Sequence, residues 1–512
     1  MSKTSPTSTF FCILLAALIL CTAAFLRFND LEDRPLHFDE ATGARIVGYH
    51  LDDEQRPFDP KHFHGPLLST VTTPLARYQK QNSWLELSIA PLRSVTAIAG
   101  LLTVAACLFF PARWSLTLAA AAFVATSPLL VYYSRMYIHE TLFVFTGILT
   151  LLAIAKYIET RRLPWALCFG IAVGLMAATR ETVVIALFSW TLAGLAVWLP
   201  GRASHNPTEP IRKLLQHQRA FAVAGIACLL TIFAFYSQLG RHPAGFIDFF
   251  RTFLVYETTP GHDKAWDYYL KLLIVPQRSM GVLWTEAAVL ILAVCGYLLT
   301  PRGLARVACR FLLVSGLVMF LVFSLISYKT PWLICLAWLH VCLAAAFGIP
   351  GIIHFIPDRS RLLAGILVIG IFGWQSVQAY RAALRWPNDN RNPYAYVPTS
   401  PDLVRMTEWV KNDISAHIPR ADIKNPDINH TSAVIGSSYW PLPWYLRSLD
   451  VGYYHSEDTV PGLTAAPLIF TNGEIPAAGK DSHQWLPRGL RHEVTLWLGI
   501  RKDIWEAYQH DE

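Results

Sequence analysis

Charge is scarce in this chain. Only 15% of its 512 residues are Asp, Glu, Lys or Arg, against about 25% in a typical soluble domain. A disordered chain needs low hydrophobicity and high charge, so disorder is excluded. The net charge of +7 is small for this length, and Lys and Arg are spread rather than gathered in a patch, which excludes a nucleic-acid binder. Cysteine is missing from every long polar stretch. Cys12, Cys21, Cys107, Cys168, Cys228, Cys295, Cys309, Cys335 and Cys342 all lie in or beside apolar runs. A secreted disulfide framework would pair them in polar loops. No CxxC or Cys/His metal spacing occurs either, so they read as small buried apolar residues. There is no internal repeat or low-complexity tract. What abounds is apolar side chain, 53% of the total with 17 Trp and 28 Phe, and the mean hydropathy is +0.35. The class that remains is a polytopic α-helical membrane protein.

A membrane-crossing helix needs roughly 17–25 apolar residues. Eleven such runs occur, at roughly 9–26, 91–110, 115–133, 139–157, 164–179, 182–199, 220–239, 281–299, 310–327, 331–349 and 362–380. The first is long for a signal-peptide core of about 7–15 residues and reads as an uncleaved anchor. One set of loops holds Arg113; Lys156, Arg161 and Arg162; Arg202, Arg212, Lys213 and Arg219; Arg302, Arg306 and Arg310; Arg359 and Arg361. By the positive-inside rule these loops are cytoplasmic. The N-terminus is then inside, and loops 27–90 and 240–280 and the tail 381–512 lie outside the inner (plasma) membrane.

The chain thus divides into a transmembrane part, 1–380, and an extracytoplasmic part, 381–512. In the latter, Ser400-Pro401-Asp402 predicts a helix start with Pro at its first position, followed by Leu403, Met406, Val410 and Ile414 at helical spacing. Short apolar runs at 432–436, 451–454, 466–470 and 494–499 predict strands, hence a small α/β domain.

The candidate chemistry gathers on the outer side. Ala44, Val47, Gly48 and Leu51 form a helical stripe after His37-Phe38-Asp39-Glu40, so a surface helix starts near Asp39. Its carboxylate either caps that helix or serves as a general base, and the helix N-terminus favours its ionised form. His62 and His64 are either metal ligands or a polar lip before a second surface helix from Leu67. Arg135, His139 and Glu140 join the third and fourth runs. An acidic residue at the mouth of a span is costly and is functional or paired, and Arg135 is one partner for Glu140. Arg180 and Glu181 lie between the fifth and sixth runs, and Tyr328 and Lys329 between the ninth and tenth, where Lys329 could also snorkel. Carboxylates and cations over an apolar groove suit a substrate with an anionic head and a lipid tail.

The Asp-Glu pair in the first outer loop, the surface helices after it and the acid before the fourth run resemble the GT-C membrane glycosyltransferases. Protein O-mannosyltransferases and the lipid A aminoarabinose transferase belong to that superfamily. A closer resemblance is to a prokaryotic branch known in archaea as flippase-activity-associated proteins of N-glycosylation clusters. It is carried by His37-Phe38-Asp39-Glu40, HGPLL from His64, Tyr133-Ser134-Arg135, YKTPW from Tyr328, and YWPLPWYLR from Tyr439 to Arg447. The resemblance implies a bundle of about eleven helices with its active site at the outer edge, a polyprenyl-phosphate sugar as donor, and a glycan, lipid or protein acceptor. It makes Asp39, with Glu40 beside it, the candidate base and Glu140 the second acidic position. Arg135, His139, Arg180, Glu181, Lys329, His64 and Tyr328 become the candidate substrate-binding set, with Lys329 and Arg180 flanking the leaving phosphate and Arg135 in reserve. A divalent metal is the one cofactor the resemblance leaves open, although His139-Glu140 stands where oligosaccharyltransferases have Asp-x-Asp. Two other classes compete. A transporter predicts inverted repeats and broken mid-membrane helices, whereas charge here sits at one surface with no charged pair at mid-span. A non-catalytic scaffold would use the tail for docking.

Overall fold

A computed structural model of the chain describes residues 6–54, 56–198, 217–255, 261–423 and 430–511. Arg202, Arg212 and Lys213 lie outside the described residues. The molecule is largely helical. The first nine helices are α1 (Pro6–Phe28), α2 (Phe38–Leu51), α3 (Leu67–Tyr78), α4 (Ile89–Cys107), α5 (Trp114–Thr126), α6 (Pro128–Ser134), α7 (His139–Thr160), α8 (Leu163–Ala177) and α9 (Val183–Trp198). Further apolar helices span Gln218–Tyr236, Ala287–Leu299, Leu304–Leu325, Cys335–Phe355 and Asp358–Tyr380.

Among the described residues, seven helices are long and apolar enough to cross a membrane, and the bent pair α5–α6 makes an eighth. Three shorter apolar helices are α8, α9 and Ala287–Leu299. Each of the eleven apolar runs coincides with one of these helices, with two differences in detail. The run 115–133 bends by 62° at Ser127. Pro128 disfavours helical backbone in the residue before it and occupies the first turn of α6, which Ser127 caps. The run 281–299 begins as a hairpin, β1 (Gln277–Ser279) and β2 (Val282–Trp284), and its helix starts only at Ala287. Met280 and Gly281 both have positive φ, the backbone that a two-residue hairpin turn needs.

The segment Pro331–Phe355 is the axle of the bundle. Its apolar window is 83% buried, against 17% for Asp358–Arg385 at the periphery. The tail holds a five-stranded sheet of order β4-β3-β5-β7-β6, built from β3 (Ser432–Ile435), β4 (Val451–Tyr454), β5 (Leu468–Thr471), β6 (His483–Arg491) and β7 (Val494–Arg501). β3 pairs in parallel with β4 and β5, and β7 is antiparallel to β5 and β6. Ser400 caps helix Pro401–Asn412 through a bond accepted from the Asp402 N–H. Leu403, Met406, Val410 and Ile414 are buried beneath it. One buried apolar cluster runs unbroken from the bundle into this sheet.

The α1–α2 connection is tied down by an ion pair. Arg93 of α4, 1% exposed, grips Glu40 with two N–H···O bonds of 2.8 and 2.9 Å. Its remaining N–H groups go to the carbonyls of Leu31, Arg34 and Pro35. Glu40 also accepts from the backbone N–H of His37 and of Tyr137, at 2.9 and 2.8 Å. Breaking such a pair leaves an uncompensated buried charge, at a cost of about 3–5 kcal/mol. Glu40→Gln should therefore lower the thermal midpoint of the detergent-purified protein by several degrees. A midpoint equal to wild type would show that the pair is dispensable.

Candidate active site

The site is built at the end of the bundle where α2, the α6–α7 turn, the α8–α9 turn and the loop before Pro331 meet. α2 begins with a capping box, but Asp39 is not its cap. His37 is the N-cap; its Nδ1 accepts from the Asp39 N–H at 3.2 Å, and Glu40 closes the box on the His37 N–H. The His37 Nε2 is 3.2 Å from the Tyr396 carbonyl, so the hydrogen sits on Nε2 and Nδ1 is free to accept. Burial pushes the His37 imidazole down to about 3, and it caps as a neutral ring. The capping role expected of Asp39 thus belongs to its neighbour.

Adjacent residues in the same turn have opposite electrostatics. Glu40 is fully buried, and although burial opposes ionisation, Arg93 and Arg34 hold its carboxyl at about 2. Its oxygens are occupied by Arg93, His37 and Tyr137. Grouped with Asp39 as catalytic from the sequence, Glu40 is instead a structural anion. Asp39 has 36% of its side chain open to solvent, yet protein surrounds the carboxyl on its other sides. That burial raises its pKa to about 7, with Arg180 pulling the other way and Glu40 adding to the rise. The helix N-terminus favours the ionised carboxylate, while burial acts the other way and is the largest cause of the rise.

Arg180, in the turn between α8 and α9, is buried and bonds Glu140 of α7. Its other nitrogen lies 3.5 Å from Glu181. Glu140 therefore pairs with Arg180 and not with Arg135. His64 donates to Glu181 at 3.0 Å and packs edge-on against His139, ring centroids 5.2 Å apart. Burial and then Arg180 lower the His64 pKa, so the His64–Glu181 contact is a hydrogen bond from a neutral ring. Gly65 makes this approach possible: a Cβ there would lie 2.2 Å from the Ala178 carbonyl. His62 is apart from His64, paired with Asp59 at the surface. Among the described residues no group of three or more His, Cys, Asp or Glu side chains is placed to hold a metal ion. The donor set does not fit the divalent metal that the resemblance left open.

Residues 262–264 pair with residues 327–329. Lys329 is 1% exposed and donates to the carbonyls of Lys264, at 3.0 Å, and Ile326. It does not snorkel to water. Tyr328 and Tyr396 lie near enough to Asp39 that its charge adds to the burial raising each phenol to about 12. His262 bonds the Tyr396 hydroxyl at 2.7 Å. Arg135 is elsewhere: its guanidinium binds the carbonyls of Leu26 and Asp30 at the end of α1. Its expected place beside a substrate phosphate is corrected, since its donors secure the α1 exit.

Several residues here are not among the candidate site residues of the sequence. Arg93 lies inside an apolar run, where a charge is costly and paired, and that would have marked it. Tyr396, Thr399, Tyr445 and Arg491 come from the tail, and only folding brings them in. Tyr445 accepts from the Leu36 N–H at 2.7 Å, and Thr399 donates to the Leu36 carbonyl at 2.7 Å. With Tyr396 on His37, the tail holds two of the three residues before Asp39. A buried N–H without a partner costs about 1–3 kcal/mol. In Tyr445→Phe the Leu36 amide should exchange with deuterium on the order of tenfold faster, the rate equivalent of that cost. Exchange in Cys335–Phe355 should stay as in wild type, and unchanged exchange at Leu36 would refute the clamp.

Residues 85–210 match the dolichyl-phosphate-mannose-protein mannosyltransferase family. No curated protein matches the sequence. Among solved structures, the chain resembles ArnT from Cupriavidus metallidurans in its apo state, with TM-score 0.61 and 13% identity over 96% of this chain and 98% of that one. The same protein bound to undecaprenyl phosphate gives TM-score 0.58 and 12% identity over 97% and 98% of the two chains. The archaeal oligosaccharyltransferase AglB from Archaeoglobus fulgidus, in complex with an inhibitory peptide and a dolichol-phosphate, gives 0.55 and 13% over 91% of this chain and 70% of that one. The chain thus shares the fold of these membrane glycosyltransferase structures along nearly its whole length, and residues 85–210 match the mannosyltransferase family model.

Proposed function

We propose that the protein moves a sugar from a polyprenyl-phosphate donor to a hydroxyl of an extracytoplasmic acceptor, with Asp39 as general base. The carrying observation is that Asp39 neither caps its helix nor pairs with a cation at contact distance, and has a pKa of about 7. A base of that strength is matched to neutral pH. The acceptor oxygen bonds the anomeric carbon while its proton passes to the Asp39 carboxylate. The anomeric carbon–oxygen bond to phosphate breaks, and the electron pair leaves with the polyprenyl monophosphate. Arg180, whose charge acts on Asp39, and Lys329, in the loop before Pro331, are the cations assigned to that developing charge, the kind of fixed charge that lowers such barriers. Glu140 and Glu181 orient Arg180, while His64 and His139 form the adjoining wall. The similarity to structures holding undecaprenyl phosphate and dolichol-phosphate supports the donor class.

Asp39→Asn should keep the fold, because His37 supplies the cap. Transfer should fall by about 10²-fold or more, the scale of a positioned base, measured as a mass shift on acceptor after incubation with a panel of prenyl-phosphate sugars. Below about pH 7 the Asp39 carboxyl is protonated and cannot accept, so wild-type transfer should rise as pH climbs through 7. The residual activity of the variant should lack that limb. Wild-type transfer by Asp39→Asn would overturn the assignment of Asp39 as the base, and no transfer by the wild-type protein would bring the scaffold reading forward.

Orientation is part of the proposal. Lys and Arg concentrate in the loops at the opposite end of the bundle from Asp39, so the tail lies outside the inner membrane. A tail fusion to a reporter active only in the cytoplasm should stay silent, and a signal from it would reverse the orientation.

A further inference from the structure

The cations around Asp39 are not equivalent. Arg180 is matched by Glu140 and Glu181, and Lys329 is spent on two backbone carbonyls. Arg491, from the end of β6, differs. One nitrogen donates to the Trp440 carbonyl at 3.1 Å and another to the Ser438 hydroxyl. Among the described residues no carboxylate lies within ion-pair distance of it. The guanidinium is half-buried, held in one orientation by neutral acceptors, and its charge is uncompensated. It sits 5.8 Å from the Phe38 ring, next to Asp39.

Arg491 also lines a cleft of about 400 Å³ where the polypeptide passes from bundle to tail. Asn388, Asn390, Arg391, Ser400 and His492 share its wall, and prolines are its only apolar residues. Arg391 is neutralised by a bidentate pair with Asp389, at 2.9 and 2.7 Å. Asp389 is the wall's only carboxylate, so the charge left in the cleft is that of Arg491. A guanidinium fork fixed in advance is suited to a carboxylate or phosphate, and amides and hydroxyls around it suit a ligand rich in hydroxyl groups.

We propose that this cleft is a second substrate subsite, in which Arg491 grips an oxyanion on a hydrophilic glycan substrate while Asn388, Asn390 and Ser400 bind its hydroxyls. The proposal rests on the transferase reading and names the chemistry that the tail contributes to it. The oxyanion has two sources, the phosphate of the donor lipid or an acidic sugar on the acceptor.

The test measures binding alone, so it does not depend on transfer. Full-length protein in nanodiscs is titrated in one arm with undecaprenyl monophosphate and in the other with hyaluronan tetrasaccharide, with uncharged cellotetraose as control. Arg491→Gln should weaken one anionic probe by about ten- to a hundredfold, the worth of a hydrogen bond to a charged group. Arg491→Lys should restore part of the loss. Loss confined to the prenyl phosphate assigns the subsite to the donor, and loss confined to the tetrasaccharide assigns it to the acceptor. Asn390→Asp, an exposed change that places a negative charge in the cleft, should weaken the same probe and guards against misfolding at position 491. Equal binding by wild type and both variants, or binding of neither probe by wild type, overturns the proposal. Normal probe binding by a wild-type protein that transfers no sugar from any donor of the panel would instead overturn the transferase reading.

Discussion

The buried pair between Arg93 and Glu40 is the contact on which the rest of the site depends. It joins the start of α2 to α4, and through the Tyr137 N–H it also joins the α6–α7 turn. Arg93 adds the carbonyls of Leu31, Arg34 and Pro35, so the α1–α2 connection has little freedom left. Buried ion pairs are weak evidence for stability, because desolvation offsets attraction. Their use here is directional. With both oxygens of Glu40 committed inward, its neighbour Asp39 keeps 36% of its side chain open to solvent.

This arrangement separates two carboxylates that are adjacent in sequence. Glu40 is held at about 2 and Asp39 is raised to about 7. Environments that push paired acids apart are how one site acquires distinct roles from one residue type. A second separation concerns the cations: Arg180 is balanced by two carboxylates and Arg491 by none. The first suits a wall of the site that keeps its shape, the second a surface completed by something that arrives.

Much of the bundle was legible because hydrophobic runs of sufficient length have few alternatives to a helix. Helix Pro401–Asn412 was legible to its first residue because Ser400, Pro401 and Asp402 form a complete start signal. β6 was not. It carries Pro487 and Gly489 and lacks alternation, which an edge strand tolerates, and it is the edge of the sheet. The hairpin before Ala287 was hidden inside an apolar run. The grouping of Asp39, Glu140, Arg180 and Glu181 followed from topology, since loops on one side of a bundle must share a face. Partner choice did not follow. Whether Glu140 meets Arg135 or Arg180 depends on side-chain direction at helix ends, and the tail residues converge only in three dimensions.

The two backbone groups of Leu36 find their partners 363 and 409 positions further along the chain. A nascent polypeptide therefore presents Asp39 early in synthesis, within a loop still lacking half of its supports. Those supports arrive only when nearly nine-tenths of translation is complete. A chain ending before these positions would carry the apolar helices and Asp39 itself, and still lack the two bonds that hold Leu36.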